Sequence, residues 1–381
     1  EMIGVLAQAI DLDLQIFALP TNITLAIGPS YAQKVVMLRL PPGSLDLRRL
    51  AVLTEIYNGA GNGTLAIADA IAQLTHLDEL YPPFRPWLSI LSYCVLSLGV
   101  AIVLGAGAHE LIVAALIGIS TGSIAAIATR NATVERLFEV LAALAGTLIL
   151  AAFNKFVGPA NIYISIIAGV VQLLPGYSLT TALQELANHD LVAGVARLGK
   201  VLSTLLALAC GVAFGITIAG SGFFATVTIK PHPIPAIYWL LAVVLMATGL
   251  SINLQARSKD VFWVLLSCFL ALYTSRVFGE LPGHQVATFA SALVCGLVAN
   301  IGARFLKVPR PVLLVPALIT LVPGSLSYES FLNIFQHDYN NAATLGVNAV
   351  LSAIFIVAGL LLSQLLFPTN LLRSAQSKGV H

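Results

Sequence analysis

Apolar residues fill most of the chain in long runs, and short polar segments separate these runs from residue 87 onward. A helix needs about 20 consecutive, mostly apolar residues to cross the hydrocarbon core of a bilayer. The pattern therefore predicts ten membrane-spanning helices. We place them at residues 87–107, 110–129, 136–156, 159–175, 198–220, 233–253, 261–278, 284–303, 309–323 and 344–367.

Residues 1–84 follow a different pattern, in which three short apolar segments are bounded by turn-forming residues and two later segments have apolar positions at helical spacing. We expect strands at Leu14–Leu19, Ile23–Ile27 and Val35–Leu40, and helices around Leu47–Ile56 and Ala66–Leu74. Ser44 or Asp46 is a suitable N-cap for the first helix. These residues are predicted to form a small α+β module, which the stiff segment Tyr81–Pro86 joins to the first span.

The composition agrees with a membrane protein. Of the 381 residues, 58% are hydrophobic and only 9% are charged, and the mean hydropathy is +0.92. Soluble domains contain about 25% charged residues, so a soluble enzyme, a nucleic-acid binder and a secreted disulfide scaffold are poor interpretations. The four cysteines lie in apolar runs without a Cys-x-x-Cys pair, and no disulfide, metal site or cofactor is predicted.

Lysine and arginine residues test the number of spans, because short cytoplasmic loops are enriched in both. With the N-terminal module in the cytoplasm, ten spans place twelve of these residues inside and three outside. The inner set is Arg85, Arg130, Arg136, Arg197, Lys200, Arg257, Lys259, Arg304, Lys307, Arg310, Arg373 and Lys378, and the outer set is Lys155, Lys230 and Arg276. This bias predicts a multi-pass protein with both termini in the cytoplasm.

An internal repeat relates two halves of the membrane region. Gln172–Gly176 recurs as Thr320–Gly324, and His189–Asp190 recurs as His337–Asp338, both at an offset of 148 residues. Each half has five predicted spans, and because five is odd the second half enters the membrane in the opposite sense. The sequence thus predicts an inverted-topology repeat, which many secondary transporters contain.

The predicted fold is an all-α polytopic membrane protein with ten transmembrane helices in two inverted five-helix repeats, preceded by a small cytoplasmic α+β module. The module covers residues 1–84, the first repeat covers residues 85–222, and the second repeat covers residues 233–370.

Pro175–Gly176 and Pro323–Gly324 end the fourth span of each half. Proline lacks an amide donor and glycine relaxes the backbone, so we expect the chain to unwind there and to offer free backbone groups to a substrate. A plain helix stop is the alternative. Asn161 and Gln172 are eleven residues apart and are predicted to share a helical face, where they could bind the amine or carboxylate of an amino acid. Hydrogen bonding between helices is the alternative for this pair.

Histidine and acidic residues are the candidates for proton coupling. Glu185 and His189 are four residues apart on a predicted amphipathic helix within Thr180–Lys200. The pairs His189–Asp190 and His337–Asp338 lie on opposite membrane faces by the predicted topology, and imidazole changes its charge near neutral pH. The polarity of solvated loops is the alternative explanation.

Glu139 is a further candidate for proton coupling, although it is expected to pair with Arg136 at the membrane interface. Two runs with small residues, Gly118–Gly122 and Gly211–Gly215, predict close helix packing, with a homo-oligomer as a second use of such faces. No enzyme motif is complete. Ala219–Gly222, for example, lacks the first glycine of the Gly-x-Ser-Gly motif of rhomboid-type proteases.

Longer motifs resemble a known family. They are the Pro-Pro-Phe-x-Pro-Trp sequence ending at Trp87, Phe138–Glu139, the Leu-Pro-Gly-Tyr-x-x-x-x-Ala-x-x-Glu-Leu sequence ending at Leu186, and Gly194–Leu198. Together with the α+β module they are similar to the threonine/serine exporter (ThrE) family over nearly the whole chain, more specifically in the first half. Family members carry an upstream helix ending in an Arg-x-Glu-like motif, and Glu1 matches that glutamate, which indicates a truncated copy.

The resemblance implies export of L-threonine and L-serine from the cytoplasm, driven by the proton gradient across the cell (inner or plasma) membrane, with the N-terminal module inside. The expected partners are a small amino acid, protons and the lipid bilayer, without nucleic acid and without enzymatic activity. A membrane sensor or scaffold that binds a partner through the module is the alternative function.

Overall fold

The computed structural model describes residues 7, 12–19, 22–29, 31–39, 45–61, 63–77, 84–220, 235–279, 284–306, 308–321, 324–335 and 338–368. Two of the predicted site residues, Pro323 and His337, lie outside this set.

The N-terminal residues form a three-stranded antiparallel sheet in the order β1-β2-β3, followed by two helices. The strands are β1, Leu14–Leu19, β2, Asn22–Ile27, and β3, Lys34–Arg39, and the helices are α1, Leu47–Gly61, and α2, Ile67–Thr75. Asp46 begins α1, since its Oδ1 accepts a hydrogen bond from the Arg49 amide at 2.9 Å, as an N-cap residue does. All five elements lie close to the positions that the sequence predicts.

The rest of the described chain is helical. Its first part contains α3, Pro86–Val103, α4, Ala108–Ala128, α5, Ala132–Arg136, α6, Phe138–Phe156, α7, Ile162–Gly169, α8, Gly176–Ala187, and α9, Leu191–Ala219. Its second part contains α10, Ala236–Asn253, α11, Val261–Phe278, α12, His284–Phe305, α13, Arg310–Leu321, α14, Gly324–Phe335, and α15, Tyr339–Leu366.

Eight helical segments of the described chain are long and apolar enough to cross a membrane. A ninth results if the bent pair Ile162–Gly169 and Val171–Ala187 counts as one span, and Ile237–Asn253 is a shorter apolar helix. The chain is thus a mostly helical polytopic membrane protein.

Each long helix of the first part has a counterpart in the second. The pairs are α3 and α10, α4 and α11, α6 and α12, α7 and α13, α8 and α14, and α9 and α15. The last three pairs begin 148 residues apart, as at Ile162 and Arg310. Packing is repeated as well, because α6 contacts α9 as α12 contacts α15, and α8 contacts α9 as α14 contacts α15. The offset seen in the sequence therefore has a counterpart in the packing.

The two first helices of these parts, α3 and α10, pack against each other in antiparallel directions. A Cβ added to Gly99 of α3 would lie 2.7 Å from Cγ of Met246, and one added to Gly249 of α10 would lie 2.8 Å from Cβ of Leu96. Residue numbers therefore rise along one helix while they fall along its neighbour. Both contacts depend on the missing side chain, which allows close approach of the backbones.

The other small-residue faces also pack within the chain. A Cβ on Gly122 of α4 would lie 2.9 Å from Cα of Ile90 in α3, and Gly211 of α9 faces the backbone of α6 at Val140. These glycines therefore have an architectural role, as the sequence predicts.

The module docks on the loop between α10 and α11. The Leu47 amide donates to the Leu254 carbonyl at 2.8 Å, Arg48 donates to the Gln255 side chain at 2.7 Å, and Arg257 Nη1 lies 2.8 Å from Glu55 Oε1. Burial alone would raise the pKa of Glu55, but the hydrogen bond and positive charge of Arg257, with the charge of Lys259, lower it below its ordinary value. These contacts attach α1 to the membrane helices.

Candidate functional site

A cavity of about 470 Å³ lies where the two parts of the membrane region meet. Many of its lining residues are related by the internal repeat. The related pairs are Gln172 and Thr320, Gly176 and Gly324, Tyr177 and Ser325, Leu96 and Met246, and Val100 and Leu250. Both parts of the membrane region thus contribute corresponding residues to the cavity, and its volume is in the range of small-molecule sites.

Gly176 and Gly324, the glycines of the two Pro-Gly motifs, meet at this cavity. A Cβ added to Gly324 would lie 3.5 Å from Cα of Gly176 and 3.1 Å from Cβ of Leu174. Gly176 and Gly324 are also the first residues of α8 and α14. The N-termini of these two helices therefore lie next to each other at the cavity.

From this contact the two helices run toward opposite ends of α9. A Cβ on Gly194 of α9 would lie 2.7 Å from Cγ of Leu186 in α8. Leu332 of α14 instead lines a small cavity of about 270 Å³ with Ile216 and Thr217 of α9. Gly194 and Ile216 are about 33 Å apart along the helix at 1.5 Å per residue. α8 and α14 thus extend in opposite directions from the central cavity.

The helix break before α8 lies earlier than predicted. The expected span 159–175 is not one continuous helix, because α7 ends at Gly169, a 3₁₀ turn covers Val171–Leu173, and the two helical segments are bent by 63°. Leu174 precedes Pro175 and has extended backbone angles, φ −66° and ψ 120°, as a proline imposes on its predecessor. Pro175 then starts α8 as its N-cap residue.

This break separates Asn161 from Gln172, so the prediction that they share a helical face is wrong. Asn161 is the N-cap of α7, where its Oδ1 accepts hydrogen bonds from the Tyr163 and Ile164 amides. Its own amide donates to Oε1 of the buried Glu110 at 2.9 Å. The structure therefore places Asn161 in a structural position away from the residues that line the cavity.

Gln172, in contrast, lines the cavity. Its Nε2 donates to the Ser92 carbonyl at 3.3 Å, and its Oε1 accepts a hydrogen bond from the Asn253 side chain. Asn253 is the last residue of α10, so this bond joins the two parts of the membrane region. Sequence reasoning missed both Asn253 and Thr320, although adding the repeat offset to Gln172 finds Thr320.

Two charged residues, Glu139 and Lys200, also line the cavity, together with Leu45 of the module. The predicted ion pair between Arg136 and Glu139 does not form among the described residues, because Arg136 ends α5 and Leu137 separates it from the start of α6. Glu139 is half-buried and Lys200 is exposed. The cavity therefore offers one negative and one positive side chain on the side of the module.

The first turn of α8 adds backbone donors to the lining. Pro175, Gly176, Tyr177 and Ser178 all line the cavity, and Pro175 provides no side-chain cap. The first amides of a helix have no acceptor within the helix and carry the positive end of its dipole. This arrangement suits a carboxylate.

The other predicted proton-coupling residues lie in turns or ion pairs. α8 ends at Ala187, so Glu185 and His189 are not on one helical face and that prediction is wrong. His189 has a left-handed φ of 67° and its amide donates to Leu186, while the Asp190 amide donates to Glu185. These two bonds are those of a Schellman turn, which ends a helix.

The second repeat contains part of the same turn. The Asp338 amide donates to the Asn333 carbonyl at 3.0 Å, the counterpart of the Asp190 bond, and the Asp338 side chain caps α15 at the Asn341 amide. Glu185 forms a two-bond ion pair with Arg197, at 2.7 and 3.0 Å. The geometry thus gives the Asp of each His-Asp pair a structural position in the turn, and His189 as well.

Metal binding has no visible basis in this site. Across the described ranges, no group of three or more His, Cys, Asp or Glu side chains is arranged to hold a metal ion.

Repeat-related helices, a broken helix before Gly176 and a cavity between the two parts of the membrane region are features of polytopic membrane proteins of the transporter class. Residues 1–219 match the family model ThrE, and residues 238–366 match a second model described as "Threonine/Serine exporter, ThrE". The chain belongs to the threonine/serine exporter family.

Several fungal proteins are similar to the chain. The chain is 24% identical to "Pheromone-regulated membrane protein 10" of Debaryomyces hansenii over 87% of its length, and 24% identical to the protein of that name in Eremothecium gossypii over 93%. It is 22% identical to an uncharacterized protein of Schizosaccharomyces pombe over 78%. The chain covers 34%, 49% and 37% of these three relatives, respectively. No solved structure matches the chain.

Proposed function

We propose that this protein exports small neutral amino acids, L-threonine and L-serine, from the cytoplasm across the cell membrane by proton antiport. The observation that carries the proposal is the central cavity, which has a few polar and charged side chains in a mainly apolar lining, lies between the two parts of the membrane region and is lined by both Gly176 and Gly324. Transporters with internal repeats place their substrate site at this interface, next to interrupted helices.

The cavity lining complements an amino acid with a hydroxyl group. The substrate carboxylate would bind the first amides of α8 with Lys200 nearby, and the ammonium group would bind Glu139. The amide and hydroxyl groups of Gln172, Asn253 and Thr320 would bind the side-chain hydroxyl. Pro175, Gly176, Pro323 and Gly324 would thus flank the pathway, while Asn161 is left out of this substrate site.

The proposed topology has ten crossings in two inverted repeats, with both termini in the cytoplasm. Counting the bent pair and the shorter apolar helix as crossings would give this number. The antiparallel packing of α3 and α10 supports inversion, because corresponding helices of an inverted repeat run in opposite directions. The docking of the module on the loop with Arg257 and Lys259 supports its position on the cytoplasmic side.

Among the predicted proton-coupling residues, Glu139 has the position that suits the role best. It lines the cavity without an ion pair in the described part of the chain. The proton-coupling roles predicted for His189, Asp190, His337 and Asp338 stay predictions. The turn contacts of His189, Asp190 and Asp338 can be explained without proton coupling.

Uptake of labelled threonine and serine into inverted membrane vesicles tests the function. In such vesicles export appears as uptake, and an acidic interior should accelerate it. Vesicles without the protein and vesicles without a pH gradient are the controls. Absence of protein-dependent uptake of both amino acids would contradict the exporter function. It would favour the alternative function of a membrane sensor or scaffold, which the docking of the module on the membrane helices motivates.

A further inference from the structure

Glu329 is an acidic residue within the membrane region that belongs to neither the cavity lining nor an ion pair. It lies on α14, five residues after Gly324, which places it about 7.5 Å along the helix from the cavity. The residue is half-buried, and it falls in the candidate span Arg310–Ile334. Over the described ranges its carboxylate has no ion pair and no hydrogen bond.

Comparison of the two repeats singles out this carboxylate. The acidic residue on the helix of the first repeat has an ion pair, and Glu329 on the corresponding helix of the second repeat has none among the described residues. The counterpart of Glu329 is Thr181, whose hydroxyl donates to the Tyr177 carbonyl at 2.8 Å. The acidic residue of α8 is Glu185, which Arg197 neutralises. An unpaired carboxylate within a membrane is energetically costly and favours its neutral, protonated form.

Helices α7, α8, α9 and α15 pack against α14. The ionisable residues that these helices and their ends carry, with Tyr328 on α14 itself, are Tyr163, Tyr177, Glu185, His189, Asp190, Arg197, Lys200, Cys210, Asp338 and Tyr339. Within the described part of the chain, none of them bonds to the Glu329 carboxylate. The two cations of this set lie toward the α8 end of α9, away from the end at which Leu332 packs.

We propose that Glu329 carries the coupled proton during exchange, an inference that rests on the proposed export function. Glu329 lies between the central cavity at Gly324 and the small cavity at Leu332, which is at the opposite end of α9 from the α8 contact. It would bind a proton from the outer side and release it toward the cytoplasm after α14 moves. One proton then enters for the substrate that leaves, and the carboxylate is regenerated.

The first test compares two kinds of flux in vesicles that contain Glu329→Gln. We expect loss of the stimulation by the pH gradient, while exchange of labelled for unlabelled threonine without a gradient persists. Glu329→Asp keeps a titratable group and should retain stimulation with a shifted pH profile. Glu135→Gln, at an exposed acid on α5, is the matched control and should behave like the unmodified protein. Stimulation retained in full by Glu329→Gln would overturn the proposal.

A second test needs no variant and therefore does not depend on the folding of Glu329→Gln. Dicyclohexylcarbodiimide reacts with protonated carboxyl groups in apolar surroundings, so mass spectrometry at neutral pH should find the adduct on Glu329 and not on exposed Glu135. An unlabelled Glu329 would contradict the proposal. If the unmodified protein moves neither threonine nor serine, the export function fails instead, which separates the two failures.

Discussion

Replacing Gly324 by valine should impair transport more than it impairs folding. Gly324 is the first residue of α14 and lines the central cavity against Gly176. Its Cβ would lie 3.1 Å from Cβ of Leu174 and 3.5 Å from Cα and N of Gly176. The first distance requires a shift of a few tenths of an ångström, which alanine can obtain from the Leu174 side chain. The two further methyl groups of valine must displace backbone or fill the cavity.

The magnitude follows from the cost of overpacking. Added methyl groups in a well-packed site cost about 1–3 kcal/mol. If this cost falls on the movement of α14 against α8, transport slows roughly 5- to 150-fold, because about 1.4 kcal/mol is a factor of ten in rate. Alanine at position 324 should have a much smaller effect.

The assay is initial uptake of labelled threonine into inverted vesicles, normalised to the amount of folded protein by size-exclusion chromatography. Gly199→Val is the matched control, since a Cβ at Gly199 of α9 meets no atom within 4 Å. Normal flux of Gly324→Val at normal protein levels would refute the reasoning and return the motif to a simple helix stop.

Two further predictions concern stability. Glu185→Gln should lower the melting temperature in detergent, because it leaves the guanidinium of Arg197, which is only 31% exposed, without its anion. The expected cost is about 1–3 kcal/mol. The double variant Glu185→Gln with Arg197→Gln should recover part of this loss. The lowered pKa of Glu55 means that its contribution to module docking is present above its unfolded-state pKa and is lost as the pH falls through the lower folded value. Glu55 is 49% exposed, so the effect should stay below about 1 kcal/mol. Proteolysis of the module should increase as the pH falls below the ordinary glutamate pKa of 4.5, and not at pH 7. The variant Glu55→Gln should abolish this pH dependence of proteolysis. A pH dependence that stays unchanged in the variant would contradict a role for the contact between Glu55 and Arg257.

The sequence by itself determined the elements that depend on local physical requirements. A bilayer demands a minimum apolar length, so the helices could be located from runs of apolar residues, and α11 begins and ends at the predicted residues 261 and 278. The strands of the module followed from short apolar segments bounded by turn-forming residues, and its first helix followed from apolar positions at helical spacing and the cap at Asp46. The repeat was visible because Pro-Gly and His-Asp recur at one offset, whatever their three-dimensional role.

Tertiary structure decided which polar residues meet. Asn253 contacts Gln172 although 81 residues separate them. Glu185 forms its ion pair with Arg197, beyond the turn, and not with His189, which is closer in sequence. Sequence spacing reports neighbours only within one continuous helix, and the chain leaves the helix at Gly169, before Pro175. Proline accounts for the extended backbone of Leu174 but not for the earlier end of α7. The same limit hid Glu329, whose isolation depends on where the neighbouring helices place their cations: Arg197 and Lys200 lie toward the other end of α9.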